Sequence, residues 1–168
     1  MKSYVAGQLF CLPHILPMLA PTINSYKRLV EGAWAPTTIT WGLDNRTTAL
    51  RVLSGSAGSC RLETRVIGSD VNPYLAMAAC LAAGLYGIKK KLKLNQPATV
   101  GNGYRDQSQG VLPSTLSEAT AEMKTSKLAR ELLGAEFADH FIQTREWEWR
   151  QHLKAVTDWE TRRYFEII

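Results

Sequence analysis

The sequence predicts an α/β (α+β) fold, rich in helix, with a small, incomplete, mainly antiparallel sheet. Three observations point there. Residues 74–88 carry no charge and follow an Asn72-Pro73 start. Short runs rich in β-branched residues, 37–41, 49–53 and 61–67, are joined by short links. The last third of the chain holds two Thr-x-x-Glu starts, Thr115 to Glu118 and Thr157 to Glu160.

In chain order, residues 4–12 read as an apolar helix. Pro13 is a kink or a stop, because proline lacks the donor and crowds the preceding turn. So apolar an opening segment needs cover, which predicts a start within a larger protein. Residues 21–30 are polar, and Asn24 or Ser25 is placed to cap a short helical turn. Residues 31–36, EGAWAP, form a loop punctuated by glycine and proline. The three β-branched runs follow as strands, and SGSAGS at 54–59 is a flexible turn between the second and third. Short links favour antiparallel pairing, within a sheet whose other strands lie elsewhere.

Asn72 and Pro73 suit the N-cap and first position of a helix. That helix is apolar on nearly every side and is expected to be buried all round. The run Lys89-Lys90-Lys91-Leu92-Lys93 suits its C-terminus, where cations meet the helix dipole. Residues 95–113 read as a surface connection. Thr115 opens a helix through a capping box. Leu128, Leu132 and Leu133 form an apolar stripe that Gly134 ends. Residues 136–153 continue as helix, with Phe137, Phe141, Trp147 and Leu153 expected in the core. Thr157 and Glu160 open the last helix, and the apolar end over 164–168 is expected to lie against another surface.

At 168 residues one domain is expected, and the net charge of +5 is modest. Cys11, Cys60 and Cys80 are odd in number and lack metal-ligand spacing. Free, buried cysteines behave as small hydrophobes, and the pattern fits a reducing cytoplasm. The apolar start over 4–19 is broken by Pro13, His14 and Pro17 and is too short to span a bilayer. One short lysine run is a weak nucleic-acid footprint. Neither a membrane nor a nucleic acid is expected as a partner. His14 reads as a packed or surface histidine, and Trp147 and Trp149 as packing residues, since no basic groove accompanies them.

Chemical signal concentrates in 44–65, DNRTTALRVLSGSAGSCRLETR, which holds Arg46, Arg51, Arg61, Arg65 and, among them, Glu63. On a strand, Arg61, Glu63 and Arg65 share one face while Leu62, Thr64 and Val66 take the other. A guanidinium keeps its charge, and its planar fork fits carboxylate and phosphate oxygens. Four arginines around one glutamate leave positive charge over, which asks for an anionic ligand. The glutamate could then hold a divalent metal on that anion, as in a magnesium–nucleotide complex. The same alternation also describes a half-buried strand with one charged face in water. The residues alone leave both readings standing.

Further segments set this stretch in a longer pattern. In order they are Asn24-Ser25-Tyr26-Lys27-Arg28-Leu29, Asn45-Arg46-Thr47-Thr48-Ala49-Leu50-Arg51 and Arg61-Leu62-Glu63-Thr64-Arg65. Asn72-Pro73-Tyr74-Leu75-Ala76, Gly84-Leu85-Tyr86-Gly87-Ile88 and Val156-Thr157-Asp158-Trp159-Glu160 complete it. Together they resemble the C-terminal part of the glutamine synthetase catalytic domain over nearly the whole chain. The resemblance implies that residues 1–168 are the C-terminal portion of such a domain. The family's N-terminal β-grasp domain, and the first half of the catalytic domain with most metal-binding glutamates, are absent from it.

The resemblance further implies an ATP-dependent ligase that joins glutamate to ammonia or a small amine through γ-glutamyl phosphate. Mg2+ or Mn2+ would serve the full-length enzyme, which would be a cytoplasmic homo-oligomer. Matched position by position, Arg28 falls on the arginine that holds glutamate. Arg46 falls on the catalytic arginine that bridges ATP phosphate and the acyl phosphate. Arg51 and Arg61 fall on nucleotide-phosphate arginines, Glu63 on a metal ligand and Arg65 on another substrate-side arginine.

Two positions depart from the family pattern. A flap glutamate, in a Gly-Tyr-Glu-Ala-Pro setting, helps to deprotonate ammonium, whereas Gly32-Ala33-Trp34-Ala35-Pro36 carries Trp34 there. An indole cannot accept that proton, which makes a small alkylamine the alternative acceptor. A nucleotide-contacting lysine before the third strand is replaced by Gly58, so nucleotide affinity leans on Arg51 and Arg61. With Glu63 alone of the metal ligands, the isolated chain is expected to be inactive. The rival reading is a non-catalytic module that binds anions or assembles with a longer relative.

Overall fold

The computed structural model describes residues 1–56 and 58–167. Ala57, in the expected flexible turn, and Ile168, at the expected apolar end, lie outside the described residues. The core is built on helix α1 (Lys2–Leu19), which runs on through Pro13 and Pro17 instead of stopping at the first. Cys11, Leu12, Ile15, Leu16, Met18 and Leu19 along it are almost wholly buried. Packing on several sides holds the helix where proline removes a backbone donor. α2 (Ile23–Arg28) follows, capped by Thr22, whose hydroxyl accepts from Ser25 N, and not by Asn24 or Ser25.

The sheet has the order β1 (Trp41–Leu43), β2 (Leu50–Leu53), β3 (Arg61–Thr64). β2 and β3 are antiparallel, with Arg51 opposite Glu63, but β1 and β2 are parallel, with Trp41 opposite Leu50. The sheet is therefore mixed rather than mainly antiparallel. The strands are so short that the six-position link 44–49 can carry the chain back to the start of its neighbour. That link is closed by its own bonds. Asn45 Oδ1 accepts from Thr47 N at 3.0 Å, and Thr48 Oγ1 donates to Asn45 O at 2.9 Å. The run 37–41 contributes one bridge, Thr38 to Val111, and otherwise leads into β1.

α3 (Pro73–Lys89) starts as its sequence dictates, with Asn72 Oδ1 accepting from Tyr74 N and Leu75 N. It crosses α1 where the two backbones touch. A Cβ on Gly7 would come within 2.6 Å of Gly87 Cα. The expectation of all-round burial fails. Only Ala76, Ala79, Ala83, Gly84 and Gly87 are buried, while Met77, Leu81, Leu85 and Ile88 are more than half exposed. Small residues make the close α1 contact, Leu75 and Tyr86 pack at its edge, and Met77, Leu81, Leu85 and Ile88 face outward.

α4 (Leu116–Thr125), α5 (Lys127–Leu133) and α6 (Ala135–His152) complete the core, and α7 (Asp158–Tyr164) follows. Thr115 caps α4, although Glu118 reaches Ser114 N at 2.8 Å instead of closing the box on Thr115. Thr157 and Glu160 form the full box at α7. Gly134, at φ +83°, ends α5 and starts α6. Phe141 is buried and Phe137 packs on the core, but Trp147 and Leu153, expected inside, are 55% and 66% exposed. Trp149, two positions on, packs against the core in Trp147's stead. α7 buries no residue, and Trp159, Phe165 and Ile167 face outward.

Candidate functional site: an arginine-lined cleft

The β2–β3 register decides the centre of the site. Arg51 faces Glu63 across the ladder, and its Nη1 donates to Oε1 at 3.1 Å and Oε2 at 3.0 Å. On its other side Arg51 Nε donates to Asp44 Oδ1 at 2.9 Å, and Nη2 pairs with the same oxygen. Arg65 Nη1 adds a third guanidinium bond, to Glu63 Oε2 at 3.2 Å. The opposite face of β3 packs, as alternation demands. Leu62 joins a small cluster with Val5, Leu9, Leu50 and Val52, and Thr64 donates to Gln8 Oε1 at 2.8 Å.

These bonds set the electrostatics. The hydrogen bond from Arg51 and its charge, with Arg65 behind it, hold the Glu63 carboxyl below the usual carboxylate range. Asp44 is lowered by the hydrogen bond and charge of Arg51, with smaller contributions from Arg46 and Arg61. The arginines thus gather about two carboxylates rather than one. Asp44, which begins the stretch, is a residue the sequence reading passed over.

Arg46 sits in the 44–49 link, exposed, and makes no ion pair among the described residues. With Trp34, Asp44, Asn45, Arg51 and Val100 it lines an open cleft of about 560 Å³. Trp34 is 63% exposed and sits at φ +55°, a conformation non-glycine residues seldom adopt. The far wall, 98–101, belongs to the segment read as a plain surface connection. Asn45 Nδ2 holds it through Thr99 O at 3.1 Å and Gly101 O at 2.9 Å. No charged side chain in 98–101 marked that wall in the sequence.

The remaining expected site residues are spread around this centre. Arg61 begins β3 opposite Leu53, exposed, with Nη1 on Ser59 O at 3.4 Å. Arg28 lies at the other end of β3, where Nη2 donates to Val66 O at 2.6 Å. Its Nε is buried without an acceptor, and burial lowers its pKa, with Asp70 opposing and the Arg65 charge adding. So Arg51, Glu63 and Arg65 are brought into contact, Arg46 opens onto the cleft beside Arg51, and Arg28 and Arg61 flank the group.

A divalent cation does not fit the described residues by themselves. Both oxygens of Glu63 already accept from arginine. No group of three or more His, Cys, Asp or Glu side chains is placed to hold a metal among the described residues. Two of the three thiols are held protonated by burial. Burial pushes Cys11 up to about 12 and raises Cys80 as well.

The family model for the glutamine synthetase catalytic domain matches residues 1–164. The chain belongs to the glutamine synthetase family. Among its relatives, type-1 glutamine synthetase 2 of Dictyostelium discoideum is 56% identical over 99% of this chain and 32% of its own length. The gamma-glutamylethanolamide synthetase GlnA4 of Streptomyces coelicolor is 46% identical over 99% of this chain and 35% of its own. A solved GmaS/ADP complex superposes with a TM-score of 0.81 at 32% identity, covering 98% of this chain and 39% of that one. The chain therefore spans about a third of the length of the glutamine synthetase relatives it matches. The glutamate–isopropylamine ligase of a Pseudomonas species is 38% identical over 99% of this chain and 36% of its own, and the helix-rich fold with its small sheet is that of part of the catalytic domain.

Proposed function

We propose that this chain forms the arginine-lined wall of an ATP-dependent glutamate–amine ligase. In that reaction a glutamate side-chain oxygen attacks the γ-phosphorus of ATP, and ADP leaves. The amine nitrogen then attacks the acyl carbon, phosphate leaves, the nitrogen gives up one proton to the departing phosphate or to water, and an amide remains. Positioning and neutralisation of spread negative charge do most of the work in such a transfer, and arginines supply both. Arg46 bridges the nucleotide phosphates and the acyl phosphate, Arg51 and Arg61 steady the nucleotide, and Arg28 and Arg65 stand on the glutamate side. Among the described residues, Glu63 alone would contribute to a Mg2+ or Mn2+ site completed by other parts of the full-length enzyme. Free thiols fit a cytoplasmic setting, and the assembly would be a homo-oligomer.

One observation carries the reading. Among the described residues, Arg46 has no ion-pair partner, and it stands on a cleft whose other arginine, Arg51, is pinned by Asp44 and Glu63. A pinned guanidinium keeps its place, and a free one keeps its charge for a ligand. The ADP carried by the GmaS complex and the family's ligases support a nucleotide as that ligand. A small alkylamine is the favoured acceptor, because Trp34 presents an apolar, proton-inert face on the same cleft. The amide named for GlnA4 is consistent with this.

Calorimetry tests the nucleotide half. ADP should bind the purified chain, and Arg46→Ala should weaken it about tenfold or more, as loss of a charged hydrogen bond requires. Absence of ADP binding would leave the non-catalytic assembly module as the better reading. Mixing the chain with ATP, glutamate and methylamine should give no amide, since the described residues lack a metal site. Amide formation would overturn that expectation.

A further inference from the structure

The Arg65 guanidinium touches three separate pieces of chain. Nη1 holds Glu63 on β3 at 3.2 Å, Nε donates to Arg46 O in the 44–49 link at 3.0 Å, and Nη2 donates to Trp34 O at 2.9 Å. Its own backbone is fixed to the sheet by Arg65 N on Ala49 O at 2.8 Å. The Trp34 loop is packed into the core at its two ends, through Leu29 and through Ala35 and Pro36, but its exposed tip over 31–34 has few other side-chain ties. Asn102 Nδ2 reaches Glu31 at 3.4 Å and Arg105 pairs with Glu31 at 3.8 Å, both exposed. Trp34 and Arg46 both line the cleft, yet among the described residues neither is hydrogen-bonded to Glu63, whose partners are Arg51 and Arg65.

We propose that Arg65 is the positioning residue of this cleft: one guanidinium fork fixes the Trp34 loop and the Arg46 link to β3, so that indole and free guanidinium meet the same ligand. It does so through two backbone carbonyls and one carboxylate, besides any contact of its own with substrate. A fork is required because the acceptors lie in three directions. Lysine matches the charge but cannot hold a planar array of this span. The inference deepens the reading above and rests on it for the identity of the ligand alone.

Fluorine NMR of the 168-residue chain labelled with fluorotryptophan tests it. Trp34, Trp41, Trp147, Trp149 and Trp159 each give a resonance, and Trp34 is assigned by its loss in Trp34→Phe. In Arg65→Lys the Trp34 resonance should move to the free-indole position while Trp41 and Trp149 keep theirs. ADP affinity should fall about tenfold although Arg46 is intact. In Glu63→Gln the two carbonyl bonds persist, so Trp34 should stay in place. An unmoved Trp34 in Arg65→Lys would overturn the proposal, and so would an equal shift in Glu63→Gln. The unsubstituted chain gives an independent measure. Its Arg65 Nε–H should exchange with water more slowly than that of Arg61, and equal rates would count against the fork. If ADP fails to bind at all, the nucleotide reading falls, while the apo spectra still decide the role of Arg65.

Discussion

At the residue scale, the site rests on two carboxylates that hold arginines, and this makes stability depend on pH. Asp44 and Glu63 are both lowered in the folded chain, chiefly by hydrogen bonds from Arg51. A carboxylate with a depressed folded pKa binds fewer protons folded than unfolded. Its contribution is therefore complete above the unfolded value, about 4 for such groups, and is lost as pH falls through the folded one. Thermal melts at falling pH should show Tm dropping below about pH 4. The drop should be shallower in the Asp44→Asn, Glu63→Gln double variant. Both groups are near the surface, so the change will be small and weaker in high salt. Parallel profiles for the two proteins would mean that these pairs carry no linkage. The sequence made the arginines and Glu63 legible through charge and alternation. It did not reveal Asp44 as a partner, because that pairing depends on a left-handed residue at φ +48° turning the link back over Arg51.

At the element scale, α1 and α3 show what residue size does at a helix crossing. Gly7 and Gly87 let the backbones meet, and a Cβ on Gly87 would lie 2.5 Å from Gly7 Cα. Neither backbone can yield without moving a helix. Gly87→Ala should therefore cost about 1–3 kcal/mol in urea unfolding, as overpacking does. Val156→Ser, at a position 78% exposed and away from the crossing, should stay within about 0.5 kcal/mol. Equal effects would mean that the crossing is looser than its glycines indicate. The N-caps at Thr115 and Thr157, the start of α3 and the stop at Gly134 were readable, since each is local chemistry between neighbouring residues, whereas the α2 cap fell on Thr22 and not on Asn24 or Ser25. The parallel β1–β2 pairing and the passage of α1 through Pro13 were not. Both are decided by what packs around the segment, which a local signal does not contain.

At the scale of the whole molecule, apolar side chains are left outside on one clear line. Met77, Leu81, Leu85 and Ile88 recur at helical spacing on α3, each more than half exposed. An apolar stripe of this kind favours burial against another surface. A second copy offers one, because two α3 stripes can meet about a two-fold axis. The antiparallel arrangement is favoured, since it sets the lysine-rich end at 89–91 beside the uncharged start near Tyr74, away from its twin. Sedimentation velocity over a range of concentrations should then show the chain associating, with little dependence on salt because the contact is apolar. The double variant Leu81→Glu, Leu85→Glu should sediment as a monomer with its helix content kept, because the substituted side chains already face outward. A chain that stays monomeric at every concentration would refute self-pairing. Association unchanged in the double variant would move the contact to another exposed apolar group, such as Trp159 on α7 with Phe165 and Ile167 just beyond it.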